Sequence, residues 1–249
     1  MLESADSSHY YDENPFSPLI WINSVPSLTV ENYVKGIYFI AAASGQPITD
    51  AMVSTGEISR ELGVSPGSVT GMLKSLTEDG LTTYTPYEGV QLTEEGRRLA
   101  LRVIRRHRML ETFLVEVLKM PWDEVHEEAE ILEHAVSDRL IDRMDLHLGS
   151  PDLDPHGDPI PRSDGTLPAV KGQPLKELQG GDKFRVVRVS DQDSAFLRYL
   201  TESGIVLGAT GKVLDNRREA GAILFEVDGK NLILGHEAAT NVQVVISKK

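Results

Sequence analysis

The chain has 249 residues, a formal net charge of −13, 40% hydrophobic and 25% charged residues, and no cysteine. That length can bury a real core as one large domain or two smaller ones. The missing cysteine excludes disulfides, thiolate metal sites and cysteine nucleophiles. No apolar run is long enough to span a bilayer, and the start MLESADSSHYYDENPFSPLIW lacks the basic flank and apolar core of a secretory signal, so a cytoplasmic address is expected.

The acidity is unevenly placed. Residues 27–110 carry nine basic and nine acidic side chains, whereas residues 111–150 carry three basic and eleven acidic ones. A charge of −13 is unlike a nucleic-acid binder, but the acidity sits mainly in this helical block and the N-terminal tail, and cation binding would offset part of it.

Residues 1–26, with Pro15, Pro18 and Pro26, read as a disordered extension. From Leu28 the segment SLTVENYVKGIYFIAAAS places Val30, Tyr33, Val34, Ile37 and Ile40 on one helical face, ended by Gly45 and Pro47. STGEISRELG predicts a short helix capped by Ser54 and closed by Gly63. VSPGSVTGMLKSLTEDG predicts a second helix with Val69, Met72, Leu73 and Leu76 inward and Gly80 at its end. LTTYTPYEGVQLT predicts a β-hairpin turning at Glu88-Gly89. Thr93 caps a long helix that Pro121 breaks, and residues 122–148 predict another long helix, its early turns rich in acid. A Pro/Gly/Asp-rich linker follows. Five short strands then surround one helix, SAFLRYLTESG, and suggest a small barrel.

Helix, short helix, turn, helix and hairpin is a winged helix-turn-helix order, in which the second helix fits the major groove of double-stranded DNA. Ser65, Pro66, Ser68, Thr70 and Lys74 would reach the bases, with Arg60 bracing on the backbone and Tyr84–Gly89 as the wing. A helical bundle with a plain hairpin is the bland alternative. Arginines 97, 98, 102, 105, 106 and 108 crowd the next helix, as a solvated face or as phosphate contacts.

His126, Glu130, Glu133 and His134 have the spacing of one helix face. His107 and Glu111 repeat it on the preceding helix, and antiparallel packing would bring the two sets together. Imidazole mixed with carboxylate suits Mn(II), Fe(II), Zn(II) or Co(II). A hydrolytic centre of the H-E-x-x-H or H-x-x-E-H type is disfavoured, because Glu130 stands where each needs a histidine. The readings at this level are a metal-sensing DNA-binding regulator, a metal-independent winged-helix regulator, and a metallohydrolase; the chain is expected not to be an enzyme.

SPGSVTGMLKSLTEDG, VQLTEEGRRLA, RRHRMLETFLVEVL, VHEEAEILEHAVSDRL and the linker's HGDPIP together resemble the diphtheria toxin repressor/manganese transport regulator family over about residues 27–249. The resemblance implies a mainly α fold with small β: an N-terminal winged helix-turn-helix (27–95), a helical dimerisation and metal-binding domain (96–149), a linker (150–174) and a C-terminal SH3-like small β-barrel (175–249). It implies a homodimeric, metal-dependent repressor of metal-uptake genes, whose ion orders the dimer so that both recognition helices meet successive grooves. Glu130, Glu133 and His134 match the primary metal site, closed by Asn32, and His107, Glu111 and His126 match a second site. Gln192 and Asp193 stand where longer members add ligands from a C-terminal loop. Glu130 replaces the cysteine of iron-type members and points to manganese, Mn(II) first and Fe(II) second. Lys35 replaces a glutamate of manganese-type members, and a charged lysine cannot be a ligand.

Overall fold

The computed structural model describes residues 27–247. The predicted N-terminal extension lies outside the described residues. Helices α1 (Leu28–Ala43), α2 (Thr55–Leu62) and α3 (Pro66–Glu78) lead into a hairpin of β1 (Thr82–Thr85) and β2 (Gly89–Leu92). Each start is fixed by a side-chain cap. Ser54 and Glu57 form a reciprocal capping box on α2, and Ser65 caps α3 with Pro66 in its first turn. Gly63 ends α2 in the left-handed conformation, φ 63°, turning the chain into α3. The 23-residue α4 (Glu94–Glu116), capped by Thr93, packs mainly along α1 and also meets β2. Tyr33, Val34, Ile37, Ile58, Val69, Leu73, Leu76, Val90, Leu99 and Ile104 close one core.

The distal half of α4 enters a second, smaller core: Met109 and Leu110 pack with Ala129, Ile141 and Ile160. Here the structure corrects the sequence reading. Residues 122–148 form two helices, α5 (Val125–Leu132) and α6 (Asp138–His147), because Ser137 caps a new helix through the Leu140 amide. Glu133 is the C-cap of α5, and His134 lies beyond it in a turn. Only His126 and Glu130 therefore share a helix face, and tertiary packing sets the direction of the other two.

Among the described residues the C-terminal part is one six-stranded antiparallel sheet, ordered β3-β8-β4-β5-β6-β7. Its strands are β3 (Gln173–Pro174), β4 (Lys183–Val189), β5 (Thr210–Arg217), β6 (Ala222–Val227), β7 (Lys230–Gly235) and β8 (Val242–Ile246), with α7 (Ser194–Glu202) and α8 (His236–Thr240) between them. All five expected strands are present, and β3 adds a short edge. Phe184, Val186, Leu197, Leu200, Phe225 and Val244 fill its interior.

The stretch expected to be a plain linker is packed at its start. Asp154, His156, Asp158 and Ile160 are buried. The turn docks on β4 at its bulge, where the register shifts between Val186 and Arg188, and Val189 N donates to His156 O at 2.8 Å. This brings the polar residues 154–158 against α4.

Candidate metal centre

Four segments converge where α1 meets α4 and α5: α1 itself, the middle of α4, α5 with its terminal turn, and the turn 154–158. His107 on α4 is the pivot. Its Nδ1 is 2.7 Å from Glu133 Oε2 and its Nε2 is 3.0 Å from Glu111 Oε1. Burial works against the charged ring, yet hydrogen bonds to Glu111 and Glu133 overcome it and raise the His107 pKa to about 9. Glu111 is fully buried among three imidazoles: His107, His126 (Nδ1 at 3.4 Å) and His156 (Nδ1 at 3.7 Å). Desolvation opposes its ionisation, but the three histidines hold the carboxyl well below its ordinary range.

His107 therefore touches both predicted ligand sets rather than belonging to one. Three groupings place possible ligand atoms within 4.8 Å of one another: His107/Glu111/His126, His107/Glu130/Glu133 and Glu111/Asp154/His156. His134 joins the second through Nε2, 3.2 Å from Glu133 Oε1. Its Nδ1 is 2.6 Å from Glu31 Oε2, and Glu31 also faces Arg106, 3.4 Å away. Glu31 thus fixes the ring from behind, as carboxylates behind metal-binding histidines do. Asn32, one residue on, holds its Oδ1 buried without a hydrogen-bond partner. Lys35, one turn along α1, places Nζ 2.7 Å from Glu130 Oε1 and 2.7 Å from Glu133 Oε1.

Sequence reading missed Glu31, Asp154 and His156. His156 Nε2 donates to the Trp122 carbonyl at 2.8 Å, with the Trp122 ring stacked on it, which leaves Nδ1 aimed at Glu111 without a partner. Burial disfavours its charge, but Glu111 raises its pKa overall. Asp154 Oδ1 accepts from the His156 and Asp158 amides at 2.8 and 2.9 Å, folding the turn, while Oδ2 is buried without a hydrogen-bond partner, Arg108 Nε lying 3.7 Å away. Burial and the carboxylates of Glu111 and Asp158 push Asp154 up to about 7, against Arg108 and His156. The H-G-D-P-I-P run was a signal in the sequence for His156 alone; Asp154 precedes it, Glu31 lies on α1, and no helical spacing marks any of the three.

Of the loop candidates, Gln192 donates through Nε2 to Asp158 Oδ2 at 3.2 Å, at the edge of the Asp154 turn. Asp193 spends its carboxylate on the Phe196 amide as the N-cap of α7. The DNA-face candidates lie together on α2 and α3. Arg60, Ser65, Pro66, Ser68 and Lys74 are exposed and Thr70 is half-buried. Ser65 Oγ is committed to capping Ser68, and Thr70 Oγ1 donates back to the Pro66 carbonyl. That leaves Lys74 and Arg60 as the projecting cations of the set.

The donor atoms fit a hard or borderline divalent cation. They are carboxylate and amide oxygens and imidazole nitrogens, and Asn32 Oδ1, Glu111 Oε2, Asp154 Oδ2 and His156 Nδ1 are buried with no hydrogen-bond partner in the protein. Unpaired buried lone pairs are costly unless something else satisfies them.

Three family models cover the chain: "Iron dependent repressor, N-terminal DNA binding domain" over residues 27–90, "Iron dependent repressor, metal binding and dimerisation domain" over 93–162, and "FeoA domain" over 173–246. The iron-dependent repressor IdeR of Mycobacterium leprae is 30% identical over 230 residues, spanning 87% of this chain and 96% of its own length. The chain belongs to the iron-dependent repressor family. Within that family it also resembles the regulator MntR of Lysinibacillus sphaericus, 32% identical over 133 residues, or 52% of this chain and 91% of the relative. A solved manganese-dependent transcriptional repressor, in complex with manganese, superposes with a TM-score of 0.77 at 42% identity, covering 88% of this chain and all of the other. Family members of both metal types are thus similar to it, and the family is one of transcriptional repressors rather than enzymes. Among the described residues no helix is long and apolar enough to cross a membrane.

One consequence of the electrostatics of this repressor-family centre is testable without metal. A carboxyl raised by the fold binds its proton more tightly folded than unfolded, so its contribution to stability falls as pH rises from the ordinary aspartate range towards 7. Asp154→Asn keeps an oxygen for the two amides and removes the like-charge repulsion. The metal-free protein is therefore expected to gain about 3 °C in melting temperature at pH 7.5, measured by calorimetry with chelator present. No gain, or a loss, would mean the carboxylate is tolerated without strain.

Proposed function

We propose that this protein is a manganese- or iron-activated repressor that binds double-stranded DNA as a homodimer in the cytoplasm and controls metal-uptake genes. The observation that carries this reading is the placement of the donor cluster. Glu31 and Asn32 come from α1 of the DNA-binding part, and Glu130, Glu133 and His134 come from the metal-binding part. A divalent cation held there supplies positive charge that ties the two parts together and shifts the population towards one arrangement. Asn32, Glu130, Glu133 and His134 would hold one ion. Glu111 with His107, His126, His156 and Asp154 would hold another, with Gln192 at its edge and Asp193 a cap rather than a contact. The donors contain no thiolate and so favour Mn(II), then Fe(II).

The hairpin β1–β2 after α3 supports a winged helix-turn-helix, with α3 as the helix presented to the major groove. Exposed Ile131, Leu140 and Leu146 on α5 and α6 support self-association through this part. Two copies would present two α3 helices to one duplex.

The metal-independent regulator stays open on one observation: Lys35 already neutralises part of the carboxylate charge. The two readings separate in one experiment. The immobilised full chain is offered a random-sequence duplex library with Mn(II), with Fe(II) or with chelator. Retention is expected to rise at least tenfold with either ion, and to stay at the chelator level in Glu133→Gln and His134→Ala. Equal retention with chelator and with both ions would sink the sensor.

A further inference from the structure

We propose that Lys35 is a resident cation in the Glu130–Glu133 carboxylate pair, so that this pair holds a single divalent ion rather than two, separate from the ion assigned to the Glu111 cluster. This rests on the metal-binding reading above and adds its stoichiometry. The Lys35 ammonium is 2.7 Å from one oxygen of each carboxylate, and the residue is 8% exposed. Its stem rises from α1 while both carboxylates come from the far side, so the charge is tethered across the joint between the two parts. The imidazoles outline two cation positions around Glu133. His107 stands at Oε2, 2.7 Å away, and His134 Nε2 at Oε1, 3.2 Å away. Two ions sharing the carboxylates would use both sides.

The charges decide against that. The groups facing the pair are Lys35 from α1, His107 from α4, His126 from α5, 3.9 Å from Glu130 Oε1, and His134 from the turn after α5; His107 is itself matched by Glu111 at 3.0 Å. Glu31 is already matched by Arg106 and His134. Two carboxylates and one ammonium sum to one negative charge, which a single divalent ion more than cancels. A second would be held in a buried site with a large uncompensated positive charge, the arrangement proteins avoid. An ammonium has donors only, so it balances charge without ligating, and it competes with any ion for the same oxygens.

Native mass spectrometry of the full chain loaded with Mn(II) counts the ions, and competition with a chelating dye reads the affinity. Lys35→Glu is expected to hold one more ion per protomer than the wild type, and the extra ion should vanish in the Lys35→Glu/Glu130→Gln double variant. Lys35→Met keeps the stem and removes the charge, so it should raise Mn(II) affinity at least fivefold. This second variant keeps the test alive if the glutamate variant fails to fold. An unchanged count in folded Lys35→Glu, or unchanged affinity in Lys35→Met, would overturn the proposal while leaving wild-type metal binding intact. An ion gained by Lys35→Glu in a chain whose wild type binds none would overturn both the single-ion stoichiometry and the sensor reading. Binding by none of the three proteins would overturn both.

Discussion

Glu111→Gln is expected to cost the metal-free protein about 3 kcal/mol at pH 6 and to lower its metal affinity at least 100-fold. The side chain is fully buried and faces three imidazoles. Glutamine keeps the volume but removes the charge that holds those rings. The pH dependence gives the sharper test. His107 is raised to about 9 from an ordinary 6.5, burial opposing and Glu111 and Glu133 prevailing. A raised histidine contributes stability that is fully present below its unfolded value and lost as pH rises through the folded one. Glu111, held low, contributes stability above the ordinary carboxylate range and loses it in acid. These are one interaction viewed from both partners, so they are not summed. The Glu111–His107 contribution to metal-free stability should therefore plateau between the carboxylate range and about pH 6.5, then decline towards pH 9. In Glu111→Gln the decline should flatten, and the His107 resonance should titrate nearer its ordinary value. An unchanged slope in urea unfolding from pH 6.5 to 9 would remove Glu111 as the cause.

Gly157→Ala is expected to cost about 3 kcal/mol or more, and roughly 10 °C in melting temperature. Two penalties coincide. Gly157 has φ +87°, a conformation that costs an L-residue about 1–2 kcal/mol. An added Cβ would also lie 2.2 Å from the Val187 carbonyl oxygen and 2.7 Å from Arg188 Cα, both backbone, so the turn must lift off the bulge of β4. Lifting it withdraws His156 and Asp154 from Glu111 and frees the Val189 amide. Gly165→Ala is the control, because its φ is +82° but its nearest neighbour is a side-chain methyl of Leu101 at 3.6 Å. Hydrogen exchange at Val189 should accelerate in Gly157→Ala and not in Gly165→Ala. Equal losses in the two variants would show that backbone strain alone matters and that the close approach to β4 carries nothing.

Helical spacing makes part of the centre legible in the sequence, and packing alone places the rest. His107 and Glu111 are four apart on a continuous helix, and His126 and Glu130 likewise, so local geometry puts each pair on one face whatever the rest of the chain does. Glu133 and His134 continue that face only if the helix runs unbroken past them. Ser137 makes a better start for a new helix than a mid-helix residue, and the break it imposes re-aims His134 towards Glu31. Asp193 failed to reach the cluster for a similar local reason: an Asp before a helical segment is an N-cap first.

The sequence by itself determined the order of elements, because caps, glycines and apolar periodicity act over a few residues. It determined that any ion must sit on oxygen, nitrogen or a methionine thioether, because there is no thiolate to offer. It also exposed the family-like motifs. Only the tertiary structure decided that Glu31, Lys35, Asp154 and His156 join the centre. Those residues come from segments up to 125 positions apart, and no local spacing encodes a contact closed by the packing of α1, α4 and a turn seated on β4. The charge of Lys35 was readable from the start. Its position 2.7 Å from two carboxylates, where it acts as a cation rather than a missing ligand, was not.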